Sequence, residues 1–232
     1  MRILTTLLFT PIFLLASMSP AKSMEDVKTY VEESCGTCHA LKKISKDIQE
    51  RIKRKGSHLY YAGNKYQRKW LEAWLQKTTL IRPSGEFPLN HTEVTDEGDV
   101  IKGDTLLKHI DLPSVRAKEV TDYLMSLTPN NNLIENVSYT PKKISLSMGK
   151  MNFGKFKGCQ SCHRDKANEG GQSGPELYTA WNRLQPEYLI SYTKDPNLWD
   201  VNTMMPNRHL KDSSLQKLVD YLKVIGEKNA NL

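Results

Sequence analysis

Cysteine is scarce in this sequence, four in 232 residues, and none is left over. Cys35 and Cys38 are followed directly by His39, and Cys159 and Cys162 by His163. No thiol therefore remains for a disulfide elsewhere or for a separate thiolate ligand. Long hydrophobic runs are missing too. The one apolar stretch, residues 3–16, is interrupted by Thr5, Thr6, Thr10 and Pro11 and falls short of the ~20 residues a bilayer span needs. Nowhere does apolar–polar alternation mark a set of strands, which excludes a sheet-built fold as an expectation. A large charge excess is also absent. Residues 1–23 hold two of the 33 basic residues and no acid, so the remainder carries 31 against 26. That modest balance gives no argument for nucleic acid as a partner.

What is present is the Cys-x-x-Cys-His pentapeptide, twice. Its spacing is that of covalent c-type haem attachment: two thiols add to the porphyrin vinyl groups, and the adjacent imidazole becomes the axial iron ligand. One such motif can arise by chance; two that consume every cysteine are hard to explain that way. Zinc sites built from two Cys-x-x-Cys pairs space them ~15–20 residues apart, far closer than here. A thioredoxin-like dithiol has no need of the following histidine. The expected cofactors are two haem c groups, held by Cys35, Cys38, Cys159 and Cys162, with His39 and His163 on iron.

The N-terminus fits this chemistry. Arg2, the short apolar run and Ala21-Lys22-Ser23 have the layout of a secretory signal cleaved after residue 23. The expected product is a periplasmic protein without a membrane span.

The remaining chain repeats itself. Gly56-Ser-His-Leu59 aligns with Gly174-Pro-Glu-Leu177 at a shift of 118, and the same shift places Trp70-Leu71 on Tyr188-Leu189 and Trp74 on Tyr192. Val120-Thr-Asp-Tyr-Leu124 aligns with Leu218-Val-Asp-Tyr-Leu222 at a shift of 98. Apolar stripes predict helices at Val27–Val31, Arg68–Lys77, Val120–Leu127 and Leu215–Ile225. The fold expected is all-α: two tandem haem domains, residues 24–128 and 144–232, joined by a linker at 129–143 that carries three consecutive asparagines and two prolines. Few aliphatic residues serve each half, so the haems are expected to form much of the core and the apo chain to fold poorly. Met125, Met148 and Met151 are expected in that core.

Residues 145–227 resemble a class I cytochrome c domain. The resemblance rests on Cys159–His163, Gly174-Pro175-Glu-Leu177, Met204-Met205-Pro206 and the closing helix. It implies that the Pro175 carbonyl orients the His163 ring and that Met205, rather than Met204, is the sixth iron ligand. The first half follows the same plan with Ser57 in place of Pro175. It has no methionine between His39 and Met125, and Leu107 falls opposite Met205. Its loop, residues 83–113, is longer than its counterpart and holds two histidines. His109 is the first candidate for the sixth ligand and His91 the second; Lys108 or an open site completes the alternatives. His58 sits at the Glu176 position and is not expected to bind iron.

Imidazole stabilises Fe(III) better than thioether does, so a first haem with two histidines would lie below the second in potential. The function expected is electron carriage between a donor enzyme and an acceptor oxidase or cytochrome, rather than catalysis. The alternatives are oxidation of a small sulfur anion, peroxide reduction or gas binding, each of which needs an open first haem. Trp70, Trp74, Tyr188 and Tyr192 are read as packing. The basic run at residues 51–55 is read as a solvated loop or a docking patch, and the acids Glu93, Asp96, Glu97, Asp99 and Asp104 as a solvated loop or a surface for a basic partner.

Overall fold

The computed structural model describes residues 24–82, 85–96 and 98–229. The predicted signal segment and Glu97 lie outside the described residues. In the first half, α1 (Met24–Tyr30) runs on as one wider π turn through Cys35. α2 (Ile48–Lys53) begins where the Asp47 carboxylate accepts the Gln49 N–H at 2.9 Å, a side-chain N-cap. α3 (Ala62–Lys65) and α4 (Arg68–Gln76) follow; α4 buries Leu71 and Leu75 and turns Trp70 and Trp74 along its flank. α5 (Ser114–Ser126) closes the half on Ala117, Val120 and Leu124. Between α4 and α5, β1 (Thr92–Thr95) and β2 (Gly98–Ile101) form an antiparallel hairpin.

The second half repeats the opening helix, the paired helices and the closing helix, but places its hairpin earlier. α6 (Leu146–Met151) is capped by the Ser145 hydroxyl and again runs into a π turn, ending at Phe156. A short antiparallel pair, β3 (Arg164–Lys166) and β4 (Glu169–Gly170), follows the second haem motif. Then come α7 (Ala180–Arg183), α8 (Pro186–Lys194), α9 (Pro196–Trp199) and α10 (Asp212–Lys228). Proline opens α8 and α9, where its missing N–H costs nothing. The expectation of helix alone is corrected by the two hairpins. Both are too short for a readable alternation, and β1 and β2 bury only Ile101, so no one-sided apolar pattern marks them.

The repeat of 118 residues is exact in the backbone, since α3 and α4 map onto α7 and α8 at that shift. The halves meet there. Tyr66 pairs with Leu184 antiparallel. The Gln67 N–H donates to the Arg183 carbonyl (2.8 Å), and the Gln185 N–H to the Lys65 carbonyl (2.9 Å). The Gln67 amide donates to the Trp181 and Leu184 carbonyls, and the Gln185 amide to those of Gly63 and Tyr66. Every bond has its counterpart 118 residues away, the signature of a local two-fold axis.

One apolar cluster spans both halves. At its centre Trp199 packs against Tyr61 and Tyr188, with ring centroids 5.4 and 4.7 Å away. Protein side chains thus form more of the core than the count of aliphatic residues suggested, because tyrosine and tryptophan carry it. Residues 129–143 are pinned rather than free: Asn64 bonds Asn130 and Asn131, the Leu133 carbonyl accepts from Ser191, and Asp220 accepts from Tyr139 and the Lys142 N–H. Met148 and Met151 are exposed, a correction to their expected burial. α6 crosses α10 through Gly149, where any Cβ would strike the Tyr221 ring, so the methionines on the other face are left in solvent. Met125 is partly buried against the core.

Candidate haem-binding sites

The two Cys-x-x-Cys-His segments adopt the same turn. The Cys35 carbonyl accepts the N–H groups of Cys38 (3.1 Å) and His39 (2.9 Å); the Cys159 carbonyl accepts those of Cys162 (3.2 Å) and His163 (3.0 Å). A turn closed this way points two thiols and one imidazole toward the same space. The four cysteines are free of disulfides. Burial pushes the Cys35 and Cys159 thiols up from their ordinary value.

Each imidazole then meets the Gly-x-x-Leu segment. The His39 Nδ1–H donates to the Ser57 carbonyl at 2.6 Å, and the His163 Nδ1–H to the Pro175 carbonyl at 2.7 Å. A carbonyl can only accept, so the proton is fixed on Nδ1 and the Nε2 lone pair is left free. That is the tautomer a metal needs, with the second-shell bond that orients it. Burial, the dominant cause, lowers both imidazole pKa values despite the opposing carbonyls, so each ring is held neutral. The glycines are structural requirements here. A Cβ on Gly56 would lie 2.6–2.7 Å from the His39 ring, and one on Gly174 2.5–2.6 Å from the His163 ring. The leucines close the segment: the Leu59 N–H reaches the Ala40 carbonyl and the Leu177 N–H the Arg164 carbonyl. Sequence comparison used these glycines only as markers of the repeat; their role against the imidazole was not read from it.

Both motifs open into one continuous cavity of about 1120 Å³. A single small-molecule site usually measures ~300–1,000 Å³, so this one has room for more than a drug-sized ligand. Its walls hold aromatic and aliphatic side chains, both cysteine pairs, and eight Lys and Arg against three acids. An apolar, cation-rich cleft with two thiols beside each neutral imidazole fits a porphyrin bearing carboxylates. Among the described residues no cluster of three or more His, Cys, Asp or Glu could hold a metal without such a macrocycle.

The far walls differ between halves. In the second, Met204 and Met205 both line the cavity; Met204 is 58% exposed and Met205 half-buried. The Met205 N–H donates to Thr203 Oγ1 (3.2 Å), which also bonds the Tyr192 hydroxyl (2.9 Å). In the first half the equivalent helix position is Trp74, and its ring lies 4.6 Å from the His109 ring. One helix position therefore braces the distal loop in each half, by a hydroxyl at 192 and by an indole at 74. Thr78 completes the first brace, bonding both Asp111 (2.7 Å) and the His109 carbonyl (3.3 Å).

His109 faces His39 across the cavity with ring centroids 6.2 Å apart. Its Nδ1–H donates to the Ile110 carbonyl (2.9 Å), which again leaves Nε2 free. Metal–imidazole bonds run to about 2 Å, so two rings sharing one ion stand roughly 6 Å apart between centroids. His91 is placed differently. It lies outside the cavity wall, with Nδ1 on Thr105 (2.9 Å) and Nε2 3.8 Å from Glu86. His58 is buried in an ion-pair network with Glu50, Arg54 and Asp200. Lys108 and Leu107 line the cavity rim.

The basic run at residues 51–55 is neither a solvated loop nor a docking patch as a whole. Arg54 is buried on Glu50 and Asp200, and Arg51 donates to the Gly85 carbonyl and lies over the Phe87 ring. The acids Glu93, Asp96, Asp99 and Asp104 are exposed, and Glu93 pairs with Lys102. The hairpin that carries three of them is clasped to the second half by Gln172, which donates to the Asp99 carbonyl and accepts the Ile101 N–H.

Residues 146–222 match the family model of cytochrome C oxidase, cbb3-type, subunit III. No curated protein and no solved structure matches the chain. The match supports a cytochrome c domain over those residues: a haem protein domain of the electron-carrying kind, with covalently bound haem c and redox proteins as partners. No helix among the described residues is long and apolar enough to cross a membrane.

Proposed function

We propose that this chain is an exported, periplasmic di-haem cytochrome that passes single electrons between a donor enzyme and an acceptor oxidase or cytochrome. Residues 24–128 and 144–232 are its two haem domains and 129–143 the linker. His39 and His109 hold the first iron; His163 and Met205 hold the second. The haems supply the one-electron chemistry. The protein fixes each imidazole as the Nδ1–H tautomer, excludes water and sets the two potentials by ligand choice. The observation that carries the reading is the pair His39–His109, two imidazoles with free Nε2 atoms at a spacing of 6.2 Å. With protein donors on both sides of each iron, no substrate needs access, which favours a carrier over the oxidase, peroxidase and gas-binding alternatives.

The intact mass and haem content of the exported protein test this. Two haems per chain are expected, and one after Cys35→Ser/Cys38→Ser. A single haem in the unaltered protein would refute it.

The brace on Met205 gives a second expectation. Tyr192 is half-buried, and loss of solvent around its hydroxyl pushes it up to about 12, so it stays protonated against Thr203. Tyr192→Phe removes one part-buried hydrogen bond, worth about 1 kcal/mol or roughly fivefold in the equilibrium that frees the loop. Added imidazole should then displace Met205 from the second haem at about one fifth of the concentration, while the first haem does not respond. Equal imidazole titrations of the two proteins would remove the brace.

A further inference from the structure

Arg54 and Gln172 hold equivalent positions, 118 residues apart, each two residues before the glycine that a proximal imidazole lies against. Both reach across the junction, and both end on the distal loop of the other half. The Arg54 guanidinium donates to the Asp200 carboxylate (2.6 and 3.1 Å). The Gln172 amide donates to the Asp99 carbonyl (2.6 Å) and accepts the Ile101 N–H (3.2 Å), so it grips β2 of the inserted hairpin. Beside it the Glu176 N–H donates to the Arg82 carbonyl (3.0 Å), where that loop departs.

The contact on the second loop goes further. Asp200 Oδ1 accepts the Asn202 N–H (3.0 Å). Asn202 is 8% exposed and stands three positions before Met205. Every polar atom of its side chain is engaged by the first half. Its Oδ1 accepts the Asp47 N–H (2.8 Å), and its Nδ2 donates to the Ser45 carbonyl (3.1 Å) and to Glu50 Oε2 (2.8 Å). A buried amide satisfied in this way fixes the loop, because withdrawing it leaves polar groups unpaired on both sides. The loop that carries Met205 is therefore seated on the segment leading to Ser57, the support of His39. The loop that leads to His109 is seated on the segment leading to Pro175, the support of His163.

We infer that the sixth ligand of each haem is positioned by the opposite half: Met205 by Glu50 and Arg54 through Asn202 and Asp200, and His109 by Gln172 through the hairpin. The inference rests on the ligand pairs proposed above. These are positioning residues, which act on how readily the distal ligand lets go. A haem then keeps that ligand only while the halves are docked, and neither half alone has the potential it has in the whole chain.

The test is a cyanide titration of the oxidised full-length holoprotein. Loss of the bis-imidazole EPR signal reads the first haem, and loss of the far-red thioether-to-Fe(III) charge-transfer band reads the second. Gln172→Ala removes two hydrogen bonds, each at the low end of its usual worth. Cyanide should then enter the first haem at about one fifth of the wild-type concentration, with the second haem unmoved. Glu50→Ala removes a bond to a charged group, and cyanide should enter the second haem at about one tenth of the concentration, with the first unmoved. Glu50→Gln, whose amide oxygen still accepts from Asn202, should titrate close to wild type. The crossing decides the matter. Gln172 belongs to the proximal segment of the second haem, and Glu50 bonds His58, next to the Ser57 carbonyl. A merely local structural role would therefore move the haem of the same half. Responses confined to the same half, or titrations equal to wild type in both Ala variants, would overturn the inference. If Glu50→Ala did not fold, Gln172→Ala would decide it alone. A wild type without the thioether band, or without the bis-imidazole signal, would refute that ligand and not the inference, which the other haem then decides.

Discussion

His109→Met should convert the first haem from a low-potential to a high-potential centre. The ring it replaces is held at three points: the Ile110 carbonyl on Nδ1, the Trp74 indole at 4.6 Å, and Thr78 on its backbone carbonyl. An imidazole fixed in this way donates to Fe(III) more strongly than a thioether does. A hundredfold change in the relative preference for the two oxidation states corresponds to about 120 mV for one electron, and a rise of that order is expected. His109→Ala should instead leave the iron high-spin, with its sixth position open to added cyanide or nitric oxide. EPR of the oxidised proteins reads both results. Wild type should give two low-spin signals, one of them bis-imidazole; Met should replace that signal and Ala should abolish it. If His91→Ala rather than His109→Ala removed the bis-imidazole signal, the assignment of the first iron would be wrong. If wild type gave a high-spin signal in place of the bis-imidazole one, the first haem would be open and the carrier reading would give way to an enzyme or gas-binding protein.

The second half was readable because its signals are local. Cys159–His163, the Gly-x-x-Leu segment and Met205-Pro206 each encode a short-range geometry, and the closing helix shows its stripe at 3.6 residues per turn. The residues that support the ligands were not readable in that way. Gly56 and Gly174 matter only because an imidazole, tied down 18 or 12 residues away, lies flat against them. Tyr192 and Trp74 were read as packing, and they do pack; their further role depends on which distal loop each helix happens to face. The sequence separates His109 from His91 only by position in a long loop. The structure separates them by what holds each ring: backbone carbonyl and indole for one, Thr105 and Glu86 for the other. The hairpins escaped notice because two strands of four residues that bury a single side chain carry no periodic signal.

The junction was the least legible part. Two copies of one domain predict that like surfaces can meet, and the reciprocal Gln67 and Gln185 bonds are such a contact. Nothing in a run of Arg and Lys at residues 51–55 reveals that Arg54 reaches across the junction to Asp200, 146 positions away.

That contact leads to the other large effect. Asp200→Ala should destabilise the folded holoprotein by about 3 kcal/mol, at the lower end of what breaking a buried ion pair costs. Arg54 and Asp200 side chains are 7% and 8% exposed and pair at 2.6 Å; Glu50 holds the other edge of the guanidinium. With Asp200 gone, Glu50 still partly neutralises Arg54, which is why the lower end applies. Replacing both partners with apolar residues, as in Arg54→Met/Asp200→Leu, should recover most of the loss, because no charge is then left buried. Lys194→Ala, at an exposed pair, should change nothing measurable. The same network sets the response to acid. Burial alone would raise both carboxyls, but Arg54, with Asn202 and His58 at Glu50, reverses this: Glu50 is held down to about 2 and Asp200 below its ordinary value. In the unfolded chain they titrate near ~4.3 and ~3.9. A folded pKa below the unfolded one means stability that is present above roughly pH 5 and drains away as pH falls toward about 2. His58 adds an earlier component. Burial is the main cause that holds its pKa low, so its share is present above ~6.5 and begins to fall below that pH. Urea unfolding at pH 7, 5 and 3 should therefore show wild-type stability declining in two stages, with the lower stage reduced in Asp200→Ala to what Glu50 alone still contributes. Parallel declines in the two proteins would mean that the network does not join the halves, and that the aromatic contacts around Trp199 hold them together without it.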